Sequence, residues 1–378
     1  MKIIYCLHGT CNPGGMERIV IAKANALAER GHRIIIVTTD QNGRPDFFPL
    51  NPKVRRLDSD VMYSSNNTRN PILKYFIRRS KIKRHKRFIA HLISSFQPDI
   101  VISTVGNEVN FIPEIAGNAS TVAEIHFSKF YRLQFGRKGI WRLIDQYLTK
   151  TDSRSLKKYD RFVVLTNNDA KHWADANNLV VIPNFSNIAP GHTSSLTDKC
   201  VIAVGHLDYQ KNYEEMIEVW HHIHPTHPDW QLQIFGEGPD RAKLQRLIDS
   251  KGLSENILLK GTVPPHGHIY EKASILLHTA RYEGLPLVLL EAMSAGVPVV
   301  AYDCPCGPAE IIDNNVTGFL IPQGNRIEMA NALNRLIEDE ELRHQMGAAS
   351  VGRADRFSPQ AIMNRWENLL VSLINSNN

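Results

Sequence analysis

The chain contains no apolar run of about 18 residues, so no segment of it is expected to span a bilayer as a helix. Cysteine is scarce, with five in 378 residues: Cys6, Cys11, Cys200, Cys304 and Cys306. The number is odd and the positions are scattered, which argues against a disulfide framework and fits a reducing cytosol. Cys304 and Cys306 form a C-x-C without a second pair or a nearby histidine, so no zinc site is expected there. Met1-Lys2 runs directly into the apolar stretch Ile3-Ile4-Tyr5, and no secretory leader is expected. No short-period repeat is visible. What is present is an ordinary globular composition, 43% hydrophobic, in a length that suits two domains of about 150 residues with a short tail.

Charge is unevenly spread. Residues 1–190 carry 29 Lys and Arg against 15 Asp and Glu, while residues 191–378 carry 15 against 23, which together reproduce the net +6. The excess peaks between Lys74 and Arg87, where eight basic residues are interleaved with or flanked by Ile72, Leu73, Tyr75, Phe76, Ile77, Phe88, Ile89 and Leu92. A basic amphipathic helix of this kind suits an anionic membrane surface; a solvated helix without a partner is the equally weighted alternative. Nucleic acid ranks lower, because no recognised binding motif accompanies the charge.

Short apolar runs alternate with helical periodicity throughout, which predicts an α/β protein with parallel sheets. Strands are expected at Lys2–His8, His32–Thr39, Val54–Leu57, Asp99–Val105, Thr121–His126, Arg161–Thr166 and Leu179–Pro183. Helices are expected between them, including Gly15–Arg30, Ile72–Phe96, Val109–Gly117 and Ile140–Lys157. Pro183–Lys199 has no periodicity and reads as a linker. The same alternation then restarts from Cys200. Near the end, Ile362, Trp366, Leu369, Leu370 and Leu373 form one apolar stripe of a helix. The expected domains are 1–185 and 199–355, followed by a helical segment 359–378.

The most informative stretch is Arg281–Gly296, R-Y-E-G-L-P-L-V-L-L-E-A-M-S-A-G. Glu283 precedes a Gly-Leu-Pro turn, and Glu291 is expected about two turns into the apolar helix that follows, Leu287–Ala295, near the face of the first acid. Free backbone N–H groups at that helix start make an anion site, with an acid placed beneath it for a ribose. The alternative is a glutamate favoured by the helix dipole and a second one at the surface.

This pattern resembles the family-4 glycosyltransferases, retaining enzymes built from two facing Rossmann-like domains (the GT-B fold) with a deep interdomain cleft. Their signature is E-x(7)-E in a turn–helix setting, and Asp303-Cys304-Pro305-Cys306-Gly307-Pro308-Ala309-Glu310-Ile311-Ile312 is similar to the D-C-P-x-G-P-x-E-I-I form of their next loop. The resemblance covers essentially the whole chain and is strongest from Val201 to Pro322. It implies a nucleotide-sugar donor held mainly by the second domain and an acceptor held mainly by the first, with the final helix packing back on the first domain.

Residue by residue, the resemblance implies that Glu283 contacts the donor sugar near the reacting centre without acting as a covalent nucleophile. Gly284, Leu285, Pro286 and Leu287 would form the diphosphate-binding turn, and Glu291 would bind the ribose. Val204-Gly205-His206-Leu207-Asp208-Tyr209-Gln210-Lys211-Asn212 is similar to the family's G-R-L-x-x-x-K-[GN] loop. Lys211 would neutralise the diphosphate, while His206 replaces the family's arginine and lacks its fixed charge and planar fork. Phe235-Gly236-Glu237-Gly238 would shape the nucleotide pocket, with the Val263 main chain against the base. In the first domain, Gly14 and Gly15 lie in a loop similar to the family's G-G-x-E-R, implying a phosphate or acceptor contact; residue chemistry alone would read them as a plain strand–helix turn. His126, at the end of its strand, corresponds to a histidine near the donor sugar.

The reading is a retaining glycosyltransferase using a nucleotide-sugar, with UDP the expected nucleotide, and a glycan or lipid-linked acceptor. No cofactor is expected, and the expected location is the cytoplasm or the inner face of the plasma membrane. The alternatives are a non-catalytic membrane-associated scaffold on a degenerate enzyme fold, or a nucleotide-sugar epimerase. Because lysine and helix N-termini would neutralise the leaving diphosphate, and no D-x-D metal motif is expected, turnover should persist in excess EDTA. Complete loss of turnover that manganese restores would overturn this expectation.

Overall fold

The computed structural model describes residues 1–65, 70–129, 131–134, 138–173, 175–186, 193–262 and 268–376. The chain divides into two compact units, Met1–Ile182 with Gln360–Asn378, and Pro183–Pro359.

In the first unit the elements run β1 (Lys2–Cys6), α1 (Gly15–Glu29), β2 (Arg33–Thr38), β3 (Arg55–Asp58), α2 (Pro71–Phe96), β4 (Ile100–Ser103) and α3 (Ile112–Ile115). They continue with β5 (Ser120–Glu124), α4 (Tyr131–Gln134), α5 (Ile140–Leu156), β6 (Arg161–Val164), α6 (Asn167–His172) and β7 (Leu179–Val181). All seven strands pair in parallel in the order β3-β2-β1-β4-β5-β6-β7. The second unit contains β8 (Cys200–Val204), α7 (Tyr213–Ile223), β9 (Gln231–Phe235), α8 (Arg241–Ser250), β10 (Ile257–Gly261), α9 (His268–Glu271) and β11 (Ile275–His278). It is completed by α10 (Leu287–Ser294), β12 (Val299–Asp303), α11 (Pro308–Ile311), β13 (Gly318–Pro322), α12 (Arg326–Glu338) and α13 (Glu340–Ala354). Its sheet is also parallel, in the order β10-β9-β8-β11-β12-β13. The α/β expectation is met by two Rossmann-like sheets.

The strands are short unbroken apolar runs because helices cover both faces of a parallel sheet. Ile3, Ile4, Ile100, Val101, Phe162 and Val163 are fully enclosed, as are Val201, Leu232, Leu276 and Val300. Most strands end one or more residues earlier than the apolar pattern suggests. The helix expected at Val109–Gly117 is confined to Ile112–Ile115. The described part of the expected linker lies on the second unit, where Leu196 is buried and Ser194 donates to the Ala273 carbonyl at 2.6 Å.

The last helix, α14 (Pro359–Asn375), belongs to the first unit from Gln360 onward. It buries Ile362, Met363, Trp366, Leu370 and Leu373; Met363, outside the expected stripe, is buried, and Leu369 is only half-buried. Glu367 anchors it, pairing with Arg30 Nη1 at 2.6 Å and His32 Nε2 at 3.1 Å.

In the second unit α13 packs on α10 through a close approach of backbones. A Cβ added to Gly347 would overlap the Gly296 carbonyl oxygen and stand 2.9 Å from Leu196 Cδ1. Neither backbone can yield without disturbing α10, the helix that carries Glu291. Gly347→Ala should therefore lower stability by about 1–3 kcal/mol, measured by urea unfolding. An unchanged midpoint would show that the two helices separate freely.

Candidate functional site

In an open parallel sheet, ligands bind beyond the carboxyl ends of the strands where the strand order reverses. In the second unit that point lies between β8 and β11. The loops after these strands are bonded to each other. Thr279 Oγ1 donates to the carbonyls of Lys211 and Asn212 at 3.2 and 3.1 Å, Arg281 N to Gln210 O at 2.8 Å, and Gln210 Nε2 to Tyr282 O at 3.0 Å.

This arrangement brings Lys211 Nζ to 2.6 Å from Glu283 Oε1, with His278 Nε2 at 3.2 Å from the same oxygen. A third loop, after β12, closes on Glu283: Glu283 N donates to Pro305 O at 3.3 Å. That loop can approach because residue 307 is glycine. A Cβ there would stand 2.5 Å from Pro286 Cδ, 3.1 Å from Gly284 O and 3.4 Å from Glu283 Cβ, at a φ of +94°.

Burial alone would raise the Glu283 carboxyl, but Lys211 and His278 outweigh it and hold it at about 2. The carboxylate is enclosed while Lys211 keeps more contact with solvent. Lys211 has three N–H donors, one of them directed at Glu283, and is the more accessible partner for an anion. The chain then turns through Gly284 and the buried Leu285 and Pro286 into Leu287, the first residue of α10, whose Pro286 cap makes no side-chain hydrogen bond.

Glu291 lies one turn into α10, not two, because the helix begins only at Leu287. It is buried and accepts a hydrogen bond from Tyr270 Oη at 2.6 Å. Gly236 follows β9 directly, against the Gly205 carbonyl, and donates to Gly261 O at 2.8 Å. His206 is exposed. Val263 lies outside the described residues.

In the first unit the strand order reverses at β1. Gly14 caps α1 and Gly15 begins it; a Cβ on Gly14 would collide with the Glu17 carboxylate, which folds back over the helix start. The Glu17 side chain is buried, and that burial raises its carboxyl above the usual glutamate value.

His126 lies two residues beyond β5 with its side chain enclosed, Nε2 being 3.2 Å from Glu124 Oε1. Burial outweighs the attraction of Glu124 and pulls the imidazole down to about 4, so it is neutral at physiological pH. Neither ring nitrogen completes a hydrogen bond among the described residues. Glu124 is itself fully buried, accepting from Tyr5 Oη at 2.7 Å and paired with Lys23, whose ammonium lies 4.5 Å from the Trp366 ring centroid.

Sequence reasoning did not single out Lys23, Glu124, Tyr5 or His278. Lys23 left a trace, a lone charge within the apolar helix Ile19–Leu27. The pairing of Glu124 and His278 appears only in three dimensions. The expectation that the chain holds no D-x-D triplet is corrected by Asp58-Ser59-Asp60, which begins at the last residue of β3. Asp58 accepts backbone amides from Asn42 at 3.3 Å and Asp60 at 3.2 Å, so it serves a turn.

The gap between the ordinary glutamate value of 4.5 and about 2 makes the Glu283 charge worth about 3 kcal/mol to the folded state. A depressed folded value means this stability is present above about pH 4.5 and is lost as pH falls toward about 2. Urea unfolding of the wild type and Glu283→Gln should differ by about 3 kcal/mol near neutrality, and the difference should shrink through about pH 4 to 2 and vanish only below about pH 2. A gap that stays constant with pH would contradict the ion pairing.

Comparison with known proteins agrees with this architecture. The model of Glycosyltransferase Family 4 matches residues 13–189, and that of Glycosyl transferases group 1 matches residues 184–352. An uncharacterized glycosyltransferase of Haemophilus influenzae is 27% identical over 373 residues, 98% of this chain and 99% of that protein. The amylovoran biosynthesis glycosyltransferase AmsD of Erwinia amylovora is 27% identical over 391 residues, again 98% of this chain and 99% of that one. Among solved structures, a mutant of S. aureus TarM in complex with fondaparinux, alpha-GlcNAc-glycerol and UDP superposes with a TM-score of 0.80 at 18% identity, covering 98% of this chain and 99% of TarM. Two adjoining matches running from residue 13 to residue 352, on two sheets of this topology, place the chain among the family-4 glycosyltransferases of the GT-B fold.

Proposed function

We propose that the chain transfers a sugar from a UDP-sugar to a glycan or lipid-linked acceptor, with retention at the anomeric carbon, in bacterial polysaccharide or glycoconjugate synthesis. The observation that carries this reading is the Lys211–Glu283–His278 cluster at the strand-order reversal of the second unit. UDP in the TarM complex and the biosynthetic role in the name of the amylovoran glycosyltransferase AmsD support the nucleotide and the setting.

In this reading the second unit holds the donor. Lys211 and the amides at the start of α10 take the diphosphate, as the Gly284–Leu287 turn leads them toward it. Glu291, oriented by Tyr270, accepts from the ribose hydroxyls, and Gly236 borders the nucleotide. As the anomeric carbon–oxygen bond breaks, its electron pair goes to the diphosphate. Lys211 and the helix start stabilise that charge without a required metal. Glu283 stays ionised and accepts from sugar hydroxyls, fixing the donor for attack.

The acceptor oxygen forms the new bond on the face the diphosphate leaves, and its proton passes to a diphosphate oxygen. No covalent bond to Glu283 is formed. Neutral His126, with ring nitrogens that need partners, is assigned a hydrogen bond to a sugar hydroxyl. The first unit holds the acceptor, and the enzyme works at the cytoplasmic face of the plasma membrane. A scaffold would have no need of an ionised, enclosed Glu283, and this disfavours the non-catalytic alternative.

Glu291→Ala should weaken UDP binding by about 1–3 kcal/mol, read by calorimetry, through loss of a charge-assisted bond. Glu291→Gln, which keeps the shape beside Tyr270, should lie between it and the wild type. Unchanged affinity in both variants for every nucleotide that the wild type binds would sink the ribose assignment. Absence of donor hydrolysis across UDP- and GDP-sugars would sink the function.

A further inference from the structure

Two helices of the first unit are longer than the layer they cover. At about 1.5 Å per residue α2 is about 39 Å long and α5 about 26 Å. A five-residue strand spans about 17 Å. Each helix is a crossover between parallel strands, so each starts at the carboxyl edge of the sheet. The steps β3 to β4 and β5 to β6 advance in the same direction, which puts both helices on one face. Ile89 and Ile93 of α2 and Leu156 of α5 accordingly join a single core cluster.

The surplus length lies at the helix starts. From Ile72 onward the first buried side chain of α2 is His85, and α5 buries only Asp145, Ser155 and Leu156. Among the described residues fifteen large hydrophobic side chains are exposed, and nine of them belong to these two helix starts. On α2 they are Ile72, Leu73, Tyr75 and Phe76. On α5, Ile140, Leu143, Ile144 and Tyr147 repeat at i, i+3, i+4 and i+7, beside the exposed Trp141. That spacing is the apolar stripe of a helix that normally lies on a core. Here it meets none.

Charge identifies what covers it. All 26 residues of α2 lack Asp and Glu, and eight of them are Lys or Arg. On α5, Arg142 stands in the exposed half while the nearby Asp145 is buried. Aromatic side chains at headgroup depth with basic residues beside them are the signature of an anionic bilayer surface. A second copy of the chain is a poorer occupant, because a two-fold contact would set one-signed surfaces against each other.

We propose that the overhanging starts of α2 and α5 together form a docking surface for an anionic membrane. Phe76, Trp141 and Tyr147 enter the headgroup layer, while Lys74, Arg78 and Arg142 meet lipid phosphates. The inference rests on exposure and charge in the first unit and not on sugar transfer, so a preparation inactive on every donor would still test it.

The chain carries its own reporter. Trp141 is 58% exposed, whereas Trp173, Trp220, Trp230 and Trp366 are all buried. With vesicles containing phosphatidylglycerol at low salt, the full-length chain should co-sediment and its tryptophan emission should shift to the blue. Brominated lipid should quench that emission. Pure phosphatidylcholine should give neither effect, and high salt should weaken both. Trp141→Phe should keep binding but lose the shift. The triple change Ile140→Ser, Leu143→Ser and Tyr147→Ser, and separately the pair Arg78→Gln and Arg79→Gln, should each reduce vesicle affinity by about tenfold or more. These side chains are exposed, so near-ultraviolet dichroism and donor hydrolysis should be retained. The proposal fails if the wild type ignores anionic vesicles at low salt, binds neutral ones equally, or keeps its affinity in both variants. It fails equally if a lipid-free dimer already shields Trp141, or if an oligonucleotide binds this face more tightly than the vesicles do.

Discussion

Glu283 is an ionised carboxylate in a place that water hardly reaches, and a charge so enclosed must be compensated by partners. That requirement organises the second unit. Lys211 comes from the loop after β8, His278 from the end of β11, and the Pro305 carbonyl from the loop after β12. Each lies at the carboxyl edge of a neighbouring strand. The glycine at 307 follows from the same constraint, because the third loop could not close over Gly284 and Pro286 with a side chain there. One charge thus fixes the conformation of three segments that are far apart in sequence.

The first unit solves a similar problem with different residues. Glu124 lies at the end of β5 without solvent contact, and Lys23, Tyr5 and His126 surround it. The same burial that makes the pair costly leaves His126 neutral. A neutral imidazole can donate from one nitrogen and accept at the other, which an imidazolium cannot. The first unit therefore holds one charge on, at Glu124, and holds another off, at the neighbouring His126.

Much of this was legible in the sequence, for identifiable reasons. The strands announced themselves because a parallel sheet covered on both faces needs uninterrupted runs such as Ile34–Val37 and Val299–Ala301. Glu283 drew attention because a turn of Gly284, Leu285 and Pro286 opens directly into an apolar helix. The start of that helix was set correctly at Leu287, but the depth of Glu291 was counted from the wrong residue. His278 was missed because a histidine closing an apolar strand has no local signature; only the loop returning from Thr279 to Glu283 makes it a partner. The stretch Val109–Gly117 overstated a helix, since apolar residues there serve the core through a bend, with Phe111 and Ile112 buried around a single turn. Ile140–Lys157 was legible as a helix, but what covers its apolar stripe was not, because periodicity reports a face and not its partner.

The return of α14 to the first unit has a consequence for the order of biosynthesis. Trp366 lies against the Lys23 ammonium, and Glu367 ties down Arg30 and His32, so this helix completes the cover over α1 and the buried charge beneath it. Yet α14 leaves the ribosome only after the whole of the second unit has been translated. The second unit is one continuous stretch of chain and can close its core as it emerges, domain by domain. The first unit, although made first, must wait with Lys23 and Glu124 incompletely covered until residues 360–375 arrive. The unit translated earliest is therefore the one whose folding finishes last, and it is the nascent first unit that a chaperone would need to shield.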